Sequence, residues 1–497
     1  MSFKEKFYAR VHGPNHHWYV ISVTALGTFM TTYDMGAVNI SLPRIMASFH
    51  TSLTATSWVL LSFLLTTTIF LLPAGKLGDL IGRKKVYNIG FLIFITGSML
   101  AGLSQGPTQL IIFRVIQGIG ASMLQTNSFA IITAVFPDKE RGKGLGIGST
   151  MAAIGTTAGP AIGGLLVNAL GWRGIFFLNV PVGLVGTVLA YLILQEKLVS
   201  TSPDKVGRNF DFPGAALAAV TMSSLLIGLS LGQQGNWSGW DTRLFLVIAA
   251  AGMIVFPIFE SRRTNPLVDV RLFNNRTFGL NNAARLICFL SISSNILLMP
   301  FYLQIVLGFS PAKAGLMLVP MNVALALISP VAGWMANFIS TRVLASSGMF
   351  LIGIAAFFLS WLSPTSGFAA ILIPLIILGL GHGIFQTPNN TSVMDSVTRD
   401  KFGMASGILS LVRQTGQSLG IAIASTIVVA SIYSTVGQVS LYSLKRSPEL
   451  LQQGGALMAF SNGISHAYLF AAIVSGIGIL CTLSRGKTER DKGIHAR

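Results

Sequence analysis

Charge is scarce in this 497-residue chain, and negative charge is scarcer still. Charged residues make up 10% of the sequence, with 16 Asp and Glu against 34 Lys and Arg. Soluble domains run at about a quarter charged, so a water-soluble globular protein is excluded. Only two cysteines are present, Cys288 and Cys481. Both fall in apolar stretches, so no disulfide framework is implied. No GxxxxGK[ST] string appears, and direct use of ATP is therefore not indicated. The glycine-rich strings have no strand before them, which removes a dinucleotide fingerprint. His and Cys show no metal-ligand spacing, and no Ser, His and acid constellation stands out. The expectation is no metal, no cofactor and no enzyme activity.

What the chain has instead is apolar length. It is 52% hydrophobic, with mean hydropathy +0.67. Runs of about 18 or more apolar residues are long enough to cross a bilayer core. Fourteen such spans are expected, at about 18–41, 54–74, 86–104, 109–132, 144–168, 173–194, 213–232, 243–260, 277–304, 312–336, 343–362, 368–394, 403–431 and 464–484. The fold class is thus an all-α polytopic membrane protein. The first span is too long for a signal-peptide apolar region and is expected to be retained.

The net charge of +18 would suggest nucleic acid until the basic residues are placed. Six fall on one side of the membrane (Arg44, Arg173, Arg243, Lys313, Lys445, Arg446), three inside spans (Arg114, Arg285, Arg413), and the rest on the other side. Lys and Arg accumulate in cytoplasmic segments. The charge therefore reports topology, with both termini cytoplasmic and the lipid bilayer, not nucleic acid, as surroundings.

An internal repeat is legible at an offset of 261 residues. IQGIGASMLQTN (116–127) lies over ILGLGHGIFQTP (377–388), pairing Gly118 with Gly379, Gly120 with Gly381 and Gln125 with Gln386. Gly142, Gly155 and Gly159 meet Gly403, Gly416 and Gly420 at the same offset. Repetition at a fixed spacing signals duplicated architecture. The chain is accordingly divided into an N-terminal six-helix bundle (1–194), two inserted spans with flanking segments (195–276), and a C-terminal six-helix bundle (277–497). The last contains a long outer loop at 432–463, in which LYSLKRSPELL is open to a short surface helix, and a cytoplasmic tail from Arg485.

Between the second and third spans lies GKLGDLIGRKK (75–85), read as a polar elbow. Gly75, Gly78 and Gly82 permit close approach of backbones, and Asp79 sits among Lys76, Arg83, Lys84 and Lys85. This string resembles signature motif A of the major facilitator superfamily. YDMGAVNISLPRI (33–45) resembles the first-helix signature of its fourteen-span drug:proton antiporters, RVIQGIGAS (114–122) resembles motif B, and GTTAGPAIGG (155–164) resembles motif C, the antiporter motif. The resemblance covers nearly the whole chain. It implies a monomeric exporter in a bacterial inner membrane, driven by the proton gradient and working by alternating access on amphiphilic small molecules. It also implies that Asp79, with Gly75, Gly78, Gly82, Arg83 and Lys84, latches the cytoplasmic side.

Asp34 is the one carboxylate well inside a span, and an intramembrane acid by default marks an ion, proton or substrate site. It is placed seven residues from the outer end of its span, and Arg114 at similar depth in span 4. An Asp34–Arg114 pair is expected to couple proton to substrate, protonation of the acid releasing the arginine; the alternative is a static helix–helix pair. Gly155, Gly159 and Gly163 recur every four residues on one face, with Gly164 and Pro160 beside them, for close packing and a permitted kink.

In the second repeat Arg285 and Arg413 lie deep in their spans with no acid opposite. Gln417 shares a face with Arg413, and His382, Gln386 and Asn389 share another. With Gln125 they make the expected substrate cavity. Its positive excess suits anionic or zwitterionic amphiphiles, which keeps a dedicated lipid or anionic-metabolite exporter open beside the multidrug reading. From other classes, a membrane-embedded enzyme and a non-transporting channel or sensor are disfavoured.

Overall fold

A computed structural model describes residues 16–136, 141–199, 211–233, 237–263, 266, 268–398, 402–446 and 454–485. Among them are fourteen long helices, from 19 to 45 residues, and no strand. They are α1 (His16–Ser48), α2 (Leu53–Ile81), α3 (Arg83–Leu103), α4 (Pro107–Val135), α5 (Arg141–Leu170), α6 (Arg173–Ile193), α7 (Phe212–Gln233), α8 (Trp240–Ser261), α9 (Arg276–Phe301), α10 (Pro311–Met335), α11 (Thr341–Leu359), α12 (Phe368–Met394), α13 (Phe402–Arg446) and α14 (Gly454–Ser484). Helix is what hydrocarbon demands, because a backbone without water must satisfy its own N–H and C=O groups.

Among the described residues, twelve of these helices are apolar enough to cross a membrane by length and composition. The two that are not, α1 and α4, are long enough at 33 and 29 residues. They fall short because they carry buried polar side chains, among them Asp34, Asn39, Arg114, Gln117 and Asn127. The exceptions to the apolar rule are therefore the helices that carry the buried Asp34 and Arg114.

Three local expectations are corrected. The elbow at 75–85 is not a loop: α2 runs helical to Ile81 and α3 starts at Arg83, leaving the reversal to Gly82 alone. Gly82 has φ +106°, a conformation that L side chains rarely adopt. Next, α1 continues to Ser48, not about Ser41. Asp34 is thus fourteen residues from that end, about 21 Å at 1.5 Å per residue. Last, 432–463 is not an open loop, because α13 extends helically through Arg446 and α14 begins at Gly454. Residues 447–453 lie outside the described residues, as do 137–140 and 399–401 of the two charged clusters read as interhelical loops.

The chain divides into two compact units, Met1–Val38 with Thr66–Phe210, and Asn39–Leu65 with Asp211–Arg497. In the first unit, α3 and α4 cross so closely that a Cβ at Gly120 would lie 2.7 Å from Gly90 O and 2.8 Å from Phe94 Cα. In the second, α11 and α12 make the equivalent crossing, a Cβ at Gly381 falling 2.9 Å from Gly348 O. The inserted helices α7 and α8 pair through Gly228 against Leu246 and Gly252 against Thr221. Outward-facing apolar side chains such as Val247 and Ile254 on α8 are left exposed, as expected where lipid is the solvent.

Candidate functional site

In the first unit, Asp34 on α1 and Arg114 on α4 form an ion pair of 2.6 Å with both side chains fully buried. Two further donors converge on the carboxylate. Gln117, one turn from Arg114, donates through Nε2 to Asp34 Oδ1 (2.9 Å) while its Oε1 accepts from Arg114 Nη1 (2.7 Å). Asn179 on α6 donates to the same Oδ1 (2.7 Å) and also to Ser98 Oγ on α3 (3.0 Å). Ser98 in turn donates to Phe176 O (2.9 Å), and the Phe176 ring lies 5.9 Å from the Arg114 guanidinium. Helices α4 and α6 thus aim donors and a ring face at one buried charge pair, and Ser98 of α3 holds Asn179 in place.

This donor set fits an ionised carboxylate, which only accepts. A neutral acid offers an O–H and would face donors on every side. Protonation would leave the Arg114 guanidinium without its counter-charge in a dry setting, an arrangement that costs several kcal/mol.

The glycine motif of α5 sits directly behind Asp34. A Cβ at Gly155 would lie 2.8 Å from Phe29 O, at Gly159 2.8 Å from Tyr33 O and 2.9 Å from Gly36 Cα, and at Gly163 2.6 Å from Ala37 Cα. Helix α5 thus packs backbone to backbone along the stretch of α1 that carries the acid. Pro160 lies within α5, which runs unbroken past it, and faces Gly36, where a Cβ would meet its Cδ at 2.9 Å. Gly164 is buried in the same turn.

At the reversal between α2 and α3, Arg83 bridges Asp79 (2.9 Å) and donates to Ala130 O (3.1 Å) and Val199 O (3.4 Å). Gly75 and Gly78 lie against Thr126 and Asn127 of α4. Lys84 donates to Tyr191 O (2.7 Å) at the end of α6. A Cβ at Gly82 would lie 2.6 Å from the Glu196 carboxyl carbon, so a second carboxylate, just beyond α6, stands at this turn.

In the second unit the glycines of α13 repeat the role of those on α5. A Cβ at Gly416 would lie 2.6 Å from Leu286 O, and at Gly420 2.9 Å from Leu290 Cα, so α13 lies on α9 as α5 lies on α1. That approach brings Arg285 to α13, where its Nε donates to Leu409 O (2.9 Å). Its Nη1 donates to Asn390 Oδ1 of α12. The Phe289 ring lies 5.2 Å from the Arg285 guanidinium and meets the His382 ring edge-on at 5.4 Å. The charge of Arg413 bears on both Arg285 and His382.

Asn389, grouped by spacing with His382 and Gln386, is buried and donates to Asn281 O on α9 (3.0 Å). Gln386 and its repeat partner Gln125 are each half-buried, and Gln417 is buried beside Arg413.

Sequence reasoning missed Gln117, Asn179 and Ser98 around Asp34, Asn390 beside Arg285, and Glu196. A lone Asn in the apolar run of α6 was a usable signal, since polar residues in spans are costly. It also placed Arg485 in a solvated tail, whereas Arg485 is 2% exposed and binds Asn281 (3.1 Å), Thr341 (2.6 Å) and Ser392, tying α9, α11 and α12 together.

Three comparisons place the chain among known proteins. It is 34% identical over 414 residues to the multidrug resistance protein Stp of Mycobacterium tuberculosis, covering 83% of this chain and 76% of that one. It is 30% identical over 469 residues to the riboflavin transporter RibZ of Clostridioides difficile, covering 94% and 97%. Its fold matches that of a bacterial homologue of the human lysosomal transporter Spinster, with a TM-score of 0.69 at 18% identity over 95% and 97% of the two chains. Residues 24–421 match the model of the Major Facilitator Superfamily. The chain is a multi-pass membrane transporter that belongs to the Major Facilitator Superfamily.

Proposed function

We propose that this transporter is a secondary active exporter that exchanges inward-moving protons for outward-moving amphiphilic small molecules, with Asp34 as the proton carrier. One observation carries the reading: a fully buried carboxylate held by one guanidinium and two amide donors. In the ionised state Arg114 is neutralised and α1, α3, α4 and α6 are drawn together. When a proton reaches Asp34 the pair is lost, and the buried guanidinium penalises that packing until the chain rearranges or the proton leaves. A ligand can shift a conformational equilibrium only through its differential affinity for the two states; here the proton supplies that difference.

Relatives named for multidrug resistance support small amphiphiles as cargo. The motif at Gly155–Gly164 supports antiport. The Asp79–Arg83 pair is suited to a cytoplasmic latch. In this reading the chain works as a monomer in a bacterial inner membrane, with cytoplasmic termini, the proton gradient as its energy source, and repeats 1–194 and 277–497 flanking the inserted pair 195–276.

The test uses proteoliposomes with a trapped pH-sensitive dye under an imposed proton gradient, with a panel of cationic, neutral and anionic amphiphiles. Substrate-evoked proton movement is expected from the native protein and not from Asp34→Asn. Identical proton movement in both proteins refutes the assignment.

A further inference from the structure

The six helices α9–α14 contain no Asp or Glu at any position, yet Arg285 and Arg413 stand well inside α9 and α13, away from the helix ends. A buried guanidinium without a counter-charge is costly. The acid of α1 is no remedy, since Asp34 is already engaged by Arg114 at 2.6 Å. Arg285 is 4% exposed and, among the described residues, is compensated only by neutral oxygens, the Leu409 carbonyl and the Asn390 amide. Arg413, one turn further along α13 from Leu409, keeps part of its surface open and makes no hydrogen bond or ion pair with the described residues. Arg285 is bonded to the turn of α13 that precedes Arg413, so two like charges stand close together.

Next to them lies His382. It is 8% exposed, its ring is fixed against Phe289, and its Nε2 has no hydrogen-bond partner among the described residues. Gln417, one turn beyond Arg413, adds a carboxamide to the same face. Two guanidiniums, an imidazole nitrogen without a hydrogen-bond partner and an amide thus gather where no acid among the described residues pairs with them. Guanidinium matches planar carboxylate and tetrahedral phosphate through paired N–H donors.

We propose that Arg285, Arg413 and His382 form the subsite for the acidic head of the exported amphiphile, a carboxylate or phosphate whose apolar body lies along the neighbouring helices. This rests on the exporter reading but adds a charge class to it. Bound substrate supplies the missing counter-charge and lowers the repulsion between the arginines. The aromatic face of Phe289, stacked under Arg285 at 5.2 Å, marks the junction between the acidic head and the apolar body. A cationic amphiphile meets two like charges and binds more weakly.

The experiment is equilibrium binding to the full chain in phosphatidylcholine nanodiscs, read by fluorescence anisotropy. The two probes, fluorescein (anionic) and rhodamine 6G (cationic), share a xanthene ring system. Native protein is expected to bind fluorescein more tightly. Arg413→Gln should weaken that binding on the order of 10- to 100-fold, the loss expected for a charge-assisted contact, with rhodamine 6G binding unchanged or improved. Arg413→Lys, which keeps the charge, should recover part of it. The preserved rhodamine 6G signal shows that Arg413→Gln is folded.

Exchanging phosphatidylcholine for phosphatidylglycerol, or adding the soluble acid deoxycholate, tells whether the displacing acid is a lipid headgroup or a solute; displacement by either supports the subsite. Tighter binding of rhodamine 6G to native protein, equal loss of both dyes in Arg413→Gln, or fluorescein binding unaltered by that substitution overturns it. No gradient is imposed, so a failure of proton coupling leaves this measurement standing, and a failure here leaves the coupling test standing.

Discussion

The buried pair makes a quantitative demand that transport assays alone do not test. Replacing Asp34 by Asn keeps the shape but turns an acceptor-only group into one that also donates, facing Gln117 and Asn179, which donate already. It also strips Arg114 of its counter-charge at zero exposure. Breaking a buried pair by removing one partner costs about 3–5 kcal/mol, most of it the penalty of the orphaned charge. Arg114→Gln leaves the opposite orphan, a carboxylate retaining two amide donors, and should cost toward the lower end of that range.

The double variant has no orphan charge. Its cost should therefore fall short of the sum of the singles by about 2–4 kcal/mol, well beyond the ~0.5 kcal/mol within which independent sites add. The assay is unfolding free energy in bicelles by steric trapping, for the native chain and the three variants. Additive losses within that margin would refute the claim that each residue neutralises the other, and the proton switch with it.

Other consequences follow from neighbouring geometry. Gly82→Ala forces a side chain into φ +106° against Glu196 and should cost about 1–3 kcal/mol; a melting temperature within a degree of native would contradict this. Asp79→Asn removes a partly exposed pair (30% and 16% exposed side chains) and should change stability by less than about 1 kcal/mol. Its effect should appear instead in the rate of exchange between cytoplasm-open and closed states, read by single-molecule fluorescence. Gly159→Leu drives a side chain into the Tyr33 carbonyl and Gly36, for which about 3 kcal/mol or more of strain is expected together with loss of transport, whereas Gly146→Leu on the same helix, where a Cβ would meet nothing within 4 Å, should leave both intact. Arg485→Gln should lower the melting temperature of the full chain, because a guanidinium bound to three helices is replaced by a shorter amide.

Much of this was legible because a membrane simplifies the code. Apolar length gave the helices, and the glycine offsets picked out positions that pack alike, Gly155 and Gly159 on α1 and Gly416 and Gly420 on α9. Asp34 and Arg114 could be paired in advance because each is a charge where charge is costly, and costly groups seek one another. Gln117, Asn179 and Ser98 were not identified, since neutral polar side chains are common in spans and periodicity does not say which helix they face. Helix ends were misjudged where a helix runs on past its apolar stretch: over Gly75–Ile81, over Leu42–Ser48, and from Ile432 onward.

Sequence alone was enough for the class of protein, the long helices and the rare buried charges, because each follows from the price of placing a polar group in hydrocarbon. Only the tertiary structure decided how those residues act. Donor distances, the three-way embrace of Asp34, the burial of Arg485 and the uncompensated state of Arg413 depend on helices brought together from opposite ends of the chain, and spacing along one helix carries no information about its neighbours.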